Sequence, residues 1–540
     1  MRLTSRRLRA ALLAAASATL VAATLPAPQP LGIGDPLFPH LGNPGYDVLS
    51  YDLDFTYGGD NSKPLDAVTT IDARATQRLD RINLDFTHGK VASVAVDGRP
   101  ARFATAGEDL VVTPAVPVAE GDRTRITVHH TSDPSGSGGG WLRTADGLAM
   151  ANQADAGHRV FPGNDHPADK AYFTFRVTAP ARLTVVANGT RVAKSRAGDI
   201  ARWTYRTRHP MATELAQVSI GDSAVVHRQG PGGLPLRDVV PAADRTKLEP
   251  WLKKTPDQIR WMERHVGPYP LETYGVLIAG AETGFELETQ TLSLFERRLF
   301  TRTEFPEWYV DSVMVHELAH QWFGDSVTPH RWSDVWLNEG HATWYEALYA
   351  QDHAKKSLET RMREAYRRSD EWRAAGGPPA APEPPAPGEQ ISLFRPVVYD
   401  GSALVLYALR QEIGKDAFER LERSWVRDHR DATASTADFV ELASKTAGRD
   451  LSAFFQAWLY AKKTPPMPGH ANWSSGTAAG TAKPPKTPRP AGQAKPSPQV
   501  KPAKPATRPV PQVKPVKPAK PANGGKAGSP PRNHRSVGGL

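Results

Sequence analysis

The sequence predicts a multidomain α+β protein: a strand-rich N-terminal part, a mainly helical part after it, and a disordered C-terminal tail. Three observations carry this. Within 46–225 apolar and polar residues alternate with a period of two, as in Val48-Leu49-Ser50-Tyr51-Asp52-Leu53-Asp54-Phe55 and again over 125–128 and 172–177. After about Asp244 the apolar spacing becomes helical. Over 461–540 there are eleven Lys and four Arg, no Asp or Glu, and proline in repeated Lys-Pro-Ala units. Such a segment has nothing to bury and stays extended, partly as polyproline II. A chain of 540 residues also exceeds one core.

The first residues carry Arg2, Arg6, Arg7 and Arg9, followed by a sixteen-residue, alanine-rich apolar run over 10–25. That is the pattern of a secretory signal peptide, with an uncleaved membrane anchor as the alternative, although the run is short for a membrane span. The expected organisation is a signal peptide over 1–28, a β domain over 29–230, a helical domain over 231–463 and the basic tail over 464–540. The tail contributes +15 and residues 1–30 contribute +4, which together exceed the chain's formal +10 and leave residues 31–460 at −9. The folded part is therefore acidic. A basic, proline-rich tail on an exported chain is expected to be drawn to an anionic cell-envelope polymer, to act as a spacer through the wall, or to serve only as a non-specific solubilising segment; the expected location is outside the cell, with association with the wall following from the first two. Without interleaved aromatics the tail carries no signal for specific nucleic-acid binding. A monomer is expected. The chain has no cysteine, so any metal must sit on His and carboxylate ligands.

The helical part contains His316-Glu317-Leu318-Ala319-His320, in an apolar-periodic segment over 307–323 that Gly324 stops. Residues four apart share a helix face, so His316 and His320 offer two imidazole nitrogens to one metal ion. A second helix, beginning at Ser333 or Asp334 and running to Ala350, carries Glu339, nineteen residues beyond His320. Two His and a Glu, with a fourth position kept for water, are the ligand set of one catalytic zinc ion. Glu317 lies about 100° round the helix from His316, where it serves as general base toward the water. His341 lies about 200° round from Glu339 and points away from the metal.

These residues, extended to 315–325 and joined by Trp332-Ser333-Asp334 and Trp336-Leu337-Asn338-Glu339-Gly340, resemble the aminopeptidase N family, which includes the leukotriene-hydrolase type enzymes. The resemblance covers about residues 46–460. It implies a gluzincin with a saddle-like β domain before a thermolysin-like catalytic domain, removing single residues from peptide N-termini. Gly284-Phe285-Glu286-Leu287-Glu288-Thr289-Gln290-Thr291 stands where the family has its Gly-Ala-Met-Glu-Asn strand, and Glu288 matches the glutamate that pairs with the substrate α-ammonium. Thr289 replaces Asn there. Glu286 stands where a small residue is usual, either as a second anion facing the substrate amine or as a solvent-facing or salt-bridged side chain; on a strand it would share a face with Glu288. Gln153, nine residues before Pro162, matches the other α-amino binder, donated from the β domain. Tyr399 matches the catalytic tyrosine that donates to the oxyanion, with Asp400, Gly401 and Ser402 in place of the usual Glu, Lys and Gly. His158 and Asp165 read as structural. The tail stands where longer members carry another large helical domain.

The resulting expectation is a secreted aminopeptidase with one zinc ion, acting on peptides with a free N-terminus. An epoxide hydrolase on the same site, or an inactive homologue serving as an envelope-binding module, are the alternatives. The complete set of Glu317, Tyr399 and ligands argues against inactivity.

Overall fold

Residues 27–136, 138–281, 283–386 and 390–476 are described by the computed structural model. The expected signal peptide, but for its last two residues, and the tail beyond residue 476 lie outside the described residues. The β domain holds an eight-stranded sheet in the spatial order 190–197, 200–206, 172–180, 46–56, 65–75, 123–132, 91–96, 99–100. All its pairs are antiparallel except 46–56 with 172–180, where Tyr51 lies opposite Phe173 and Leu53 opposite Phe175. The alternation read from 48–55 is met with one change of phase. A bulge between Val48 and Ser50 shifts the register, so Val48 and then Tyr51, Leu53 and Phe55 face the core. A four-stranded sheet (184–187, 218–221, 148–151, 140–143) and a three-stranded one (82–85, 109–113, 102–106) complete the domain.

A further four-stranded sheet (223–229, 235–241, 276–279, 293–296) opens the second domain. Its first strand pairs with the second, Val225 opposite Val239. The domain boundary expected at residue 230 therefore moves to about residue 222, because the strand over 223–229 forms its ladder with 235–241. Both faces of this sheet are buried. Val276, Ile278 and Phe295 pack with the helices, whereas Leu277, Ala279 and Leu294 pack into the core of the β domain. The two domains thus share a continuous apolar interface through a strand's two faces.

The helices are α1 (Arg245–Leu252), α2 (Thr255–Val266), α3 (Arg297–Thr301), α4 (Glu307–Ala319), α5 (Trp336–Ala354), α6 (Leu358–Gly376), α7 (Asp400–Ile413), α8 (Lys415–Asp428), α9 (Thr436–Ala447) and α10 (Ser452–Phe455). Among the described residues no helix is long and apolar enough to cross a membrane. The helical domain does not stop at residue 463. Met467 and Trp473 are buried, Trp473 stacks on Tyr407 and His470, and Thr464 Oγ1 lies 2.6 Å from Ser369 Oγ. Residues 464–476, expected to belong to the tail, are part of the fold. Their two aromatic rings are what distinguishes them from the Lys-Pro repeats that follow.

Candidate active site

Helix α4 starts after Pro306, with Glu307 in its first turn to complement the helix dipole. From Tyr309 onward nearly every side chain is buried, polar ones included, so the helix is a central core element rather than the amphipathic one expected. It ends at Ala319. His320 keeps helical backbone angles as its cap, and Gly324, at φ 135°, turns the chain away. Helix α5 begins at Trp336 and carries Glu339 in its first turn. The helix contact is close beside it: a Cβ on Gly340 would fall 2.8 Å from the Cβ of Ser402 on α7. A residue with no side chain at position 340 is what lets Ser402 stand where the family has glycine.

His316 Nε2 and His320 Nε2 lie 3.3 and 3.5 Å from Glu339 Oε2. Zinc bonds of about 2.0–2.2 Å set at tetrahedral angles hold their ligand atoms roughly 3.3–3.5 Å apart, so both imidazole nitrogens stand from the carboxylate oxygen at the separation such an ion requires, and all three residues bring ligand atoms within 4.8 Å of one another. The opposite ring nitrogens have their own partners. His316 Nδ1 is 3.1 Å from Glu346 Oε2 and His320 Nδ1 is 3.1 Å from the Phe323 carbonyl. With Nδ1 the donor in both, each Nε2 presents a lone pair toward Glu339. Burial pushes the Glu339 carboxyl up, but the two imidazoles, His320 foremost, hold it well below the usual range. The donor set fits one zinc ion. Glu346, two turns along α5 from Glu339, is the orienting residue that the motif alone did not reveal.

Glu317 is buried, and its Oε2 has no hydrogen-bond partner. Burial first, then Glu288, Glu286 and Glu339, push its carboxyl well up against the opposing pull of His316. It is a basic carboxylate held ready for a proton. The Tyr399 ring centroid lies 6.0 Å from that of His316, at the residue capping α7. Burial and the charges of Glu339, Glu288 and Glu317 raise its phenol, so it stays a donor.

Glu288 is buried beside these groups, 4.0 Å from His320 Nδ1. The strand expected over 284–291 is instead irregular backbone held by one bridge between Leu287 and Leu294. Gln321 Nε2 donates to the Glu288 carbonyl at 3.2 Å, taking the place of a ladder partner. From the β domain Gln153 Nε2 donates to Glu288 Oε1 at 2.6 Å. Its loop is pinned by Asn152 Nδ2 to the Ala216 carbonyl, and by the buried His158 and Asp165, which are 2.7 Å apart. Those two are structural, as read. Glu286 is half-buried and makes no ion pair among the described residues. Burial and Glu296 push its carboxyl up to about 8, and a salt-bridged side chain does not describe it.

His341 is directed away from the metal, as its helical position required. Its ring lies 4.3 Å from that of Phe323, Nδ1 meets the Leu337 carbonyl at 2.6 Å and Nε2 meets Glu422 Oε1 at 3.2 Å. No local pattern singles out Lys170, whose Nζ crosses from the β domain to donate to the Asp325 and Ser326 carbonyls at 2.8 and 2.9 Å. This bond fixes the loop that follows His320.

Residues 252–458 match the model of the peptidase family M1 domain. The chain is 27% identical over 325 residues to aminopeptidase M1 of Arabidopsis thaliana, an overlap of 58% of this chain and 36% of that protein. It is 29% identical over 273 residues to aminopeptidase N of Acetobacter pasteurianus, covering 49% of this chain and 74% of the relative. The crystal structure of an M1 zinc metallopeptidase from Deinococcus radiodurans superposes with a TM-score of 0.69 at 27% identity, over 81% of this chain and 98% of that one. These matches support a place for the chain in the aminopeptidase N family of gluzincins. It spans about a third to a half of the length of the long M1 relatives from Arabidopsis thaliana and Candida albicans. The M1 fold accounts for the strand-rich domain, the helical domain and the ligand set together.

Proposed function

We propose that the protein is a zinc-dependent aminopeptidase that hydrolyses the first peptide bond of peptides with a free N-terminus. The observation that carries this is the Gln153–Glu288 hydrogen bond, which sets two α-amine binders from two domains next to His316, His320 and Glu339. Because Gln153 spends Nε2 on Glu288, its amide oxygen is left to accept from an ammonium, alongside the Glu288 carboxylate. A substrate anchored by its amine there places only its first carbonyl within reach of the metal ligands.

His316, His320 and Glu339 would hold the ion. Zinc, when bound, polarises the scissile carbonyl and lowers the pKa of a water molecule. Glu317 takes the proton of the attacking water and delivers it to the leaving amine. Tyr399 donates its phenolic hydrogen to the carbonyl oxygen as that atom gains charge. Peptide turnover is supported by the Deinococcus radiodurans relative, a mutant of which was crystallised with a Tyr-Ser-Ala substrate.

We further place the enzyme outside the cell, on the basic and apolar pattern of residues 1–28, with its Lys-Pro tail drawn to an anionic envelope polymer. Salt-sensitive retention on isolated cell walls that is lost when the chain ends at residue 476 supports the tail's part in this; equal retention without the tail contradicts it. The catalytic reading is tested on amino-acid amides and their N-acetylated forms, with and without chelator. Zinc-restored turnover of the free amines alone is expected, and cleavage of the acetylated forms contradicts it.

A further inference from the structure

Arg361, in the first turns of α6, joins the two halves of the catalytic centre. Its Nη1 donates to Glu346 Oε1 at 2.8 Å and its Nε to Asp400 Oδ1 at 2.9 Å. The other oxygen of Glu346 receives His316 Nδ1 at 3.1 Å. Asp400 is the residue after Tyr399 and the first of α7. The path from Tyr399 to the ligand His316 is thus one peptide bond and three hydrogen bonds. Its side chains are shielded from water, at 7% exposure for Glu346, 17% for Asp400 and 28% for Arg361.

The chemistry of the bridge is specific to arginine. A guanidinium presents its N–H groups in a rigid plane, so donors spent on two carboxylates fix the distance and angle between them. Here the two carboxylates ride on α5 and α7, the helices that carry Glu339 and follow Tyr399. Each would be a costly buried charge alone; Arg361 compensates both. Asp400, shorter than the family's glutamate at this position, still reaches Arg361.

We propose that Arg361 is a positioning residue that locks the oxyanion donor Tyr399 to the metal ligand His316, so that metal grip and transition-state hydrogen bonding are set by one cation. The Tyr399 arm of this proposal rests on the aminopeptidase reading; the His316 arm does not.

The test uses the full-length protein with Arg361→Gln, Arg361→Lys, Asp400→Asn and Glu346→Gln. Four quantities are measured: zinc affinity by competition with a fluorescent chelator, kcat and KM on a neutral amino-acid arylamide, affinity for a phosphinic transition-state mimic against the product amino acid, and the melting temperature of the zinc-free protein. Arg361→Gln is expected to weaken zinc about tenfold and lower kcat roughly 10- to 100-fold, with KM within about threefold. Binding of the mimic falls in step with kcat, and binding of the product does not. Asp400→Asn loses kcat with zinc affinity kept; Glu346→Gln loses mainly zinc affinity. Arg361→Lys, which offers a point charge in place of a fork, recovers part of either loss. Adding Asp400→Asn to Arg361→Gln costs kcat little more than the first change alone. The proposal is overturned if Arg361→Gln lowers the melting temperature while zinc affinity and kcat stay within about twofold, if mimic and product weaken equally, or if the two changes multiply. If the wild type turns over no amide, the aminopeptidase reading fails. Zinc affinity in Arg361→Gln and Glu346→Gln then decides the His316 arm.

Discussion

Gln153 Nε2 donates a 2.6 Å hydrogen bond to Glu288 Oε1, although the two residues are 135 positions apart and belong to different domains. The contact ties the β domain to the helical domain beside His320 and, on the proposed function, sets the binding site for the substrate amine. Glu288→Ala removes a charge-assisted bond of about 1.5–3 kcal/mol, so kcat/KM on free amino-acid amides is expected to fall roughly 10- to 150-fold. Gln153→Ala should cost about tenfold, mainly in KM. Steady-state kinetics of both variants check this.

Tyr399 faces His316 with its phenol kept protonated by burial and the surrounding carboxylates. Tyr399→Phe leaves ring packing intact and removes only the donor. A loss of roughly 10²–10³ in kcat with KM nearly unchanged is expected, by the size of other oxyanion donors. A rise in KM with kcat unchanged would instead show that the phenol binds ground state and transition state alike.

Lys170 offers a test of the domain junction by pH. Burial lowers its pKa from 10.5 to about 8, against the raising pull of Asp431 and Asp325. Between pH 8 and 10.5 the unfolded chain therefore binds more protons than the folded one, and the Lys170 contribution to stability rises with pH. The stability difference between wild type and Lys170→Met should shift toward wild type over that window, by at most about 3 kcal/mol. Denaturant titrations at pH 7.5, 9 and 10.5 measure it; a difference independent of pH contradicts the buried-lysine assignment.

Residues 464–476 supply a fourth test. Trp473 is buried against Tyr407 and Tyr366, and Tyr366 Oη donates to the Pro465 carbonyl at 3.0 Å. A chain ending at residue 463 should melt several degrees below one ending at residue 476. Trp473→Ala alone should cost about 3 kcal/mol. Equal melting temperatures would return these residues to the tail.

The zinc ligands were readable because a helix turns four residues back onto one face, and the H-E-x-x-H spacing encodes that directly. The strands of the β domain were readable from their period of two, and His341 could be dismissed from its angle on α5. Other features depend on contacts that no local pattern records. Glu346 and Arg361 act through side chains on four helices, and Lys170 reaches 155 residues along the chain to Asp325. The boundary near residue 222 was missed because 223–229 alternates like the strands before it and differs only in its partner. Glu286 and Glu288 were placed on a regular strand, whereas a single bridge holds that backbone and Gln321 completes it.

The central claim is that Glu288 and Gln153 restrict this zinc site to free N-termini. The most direct measurement compares hydrolysis of a tripeptide and its N-acetylated form by the purified enzyme, zinc-free and after zinc is restored, in the wild type and in Glu288→Ala. The account predicts zinc-dependent release of the first residue from the free tripeptide, no cleavage of the acetylated one, and loss of the first activity in Glu288→Ala. Cleavage of the acetylated tripeptide by the wild type, unaffected by Glu288→Ala, would contradict it.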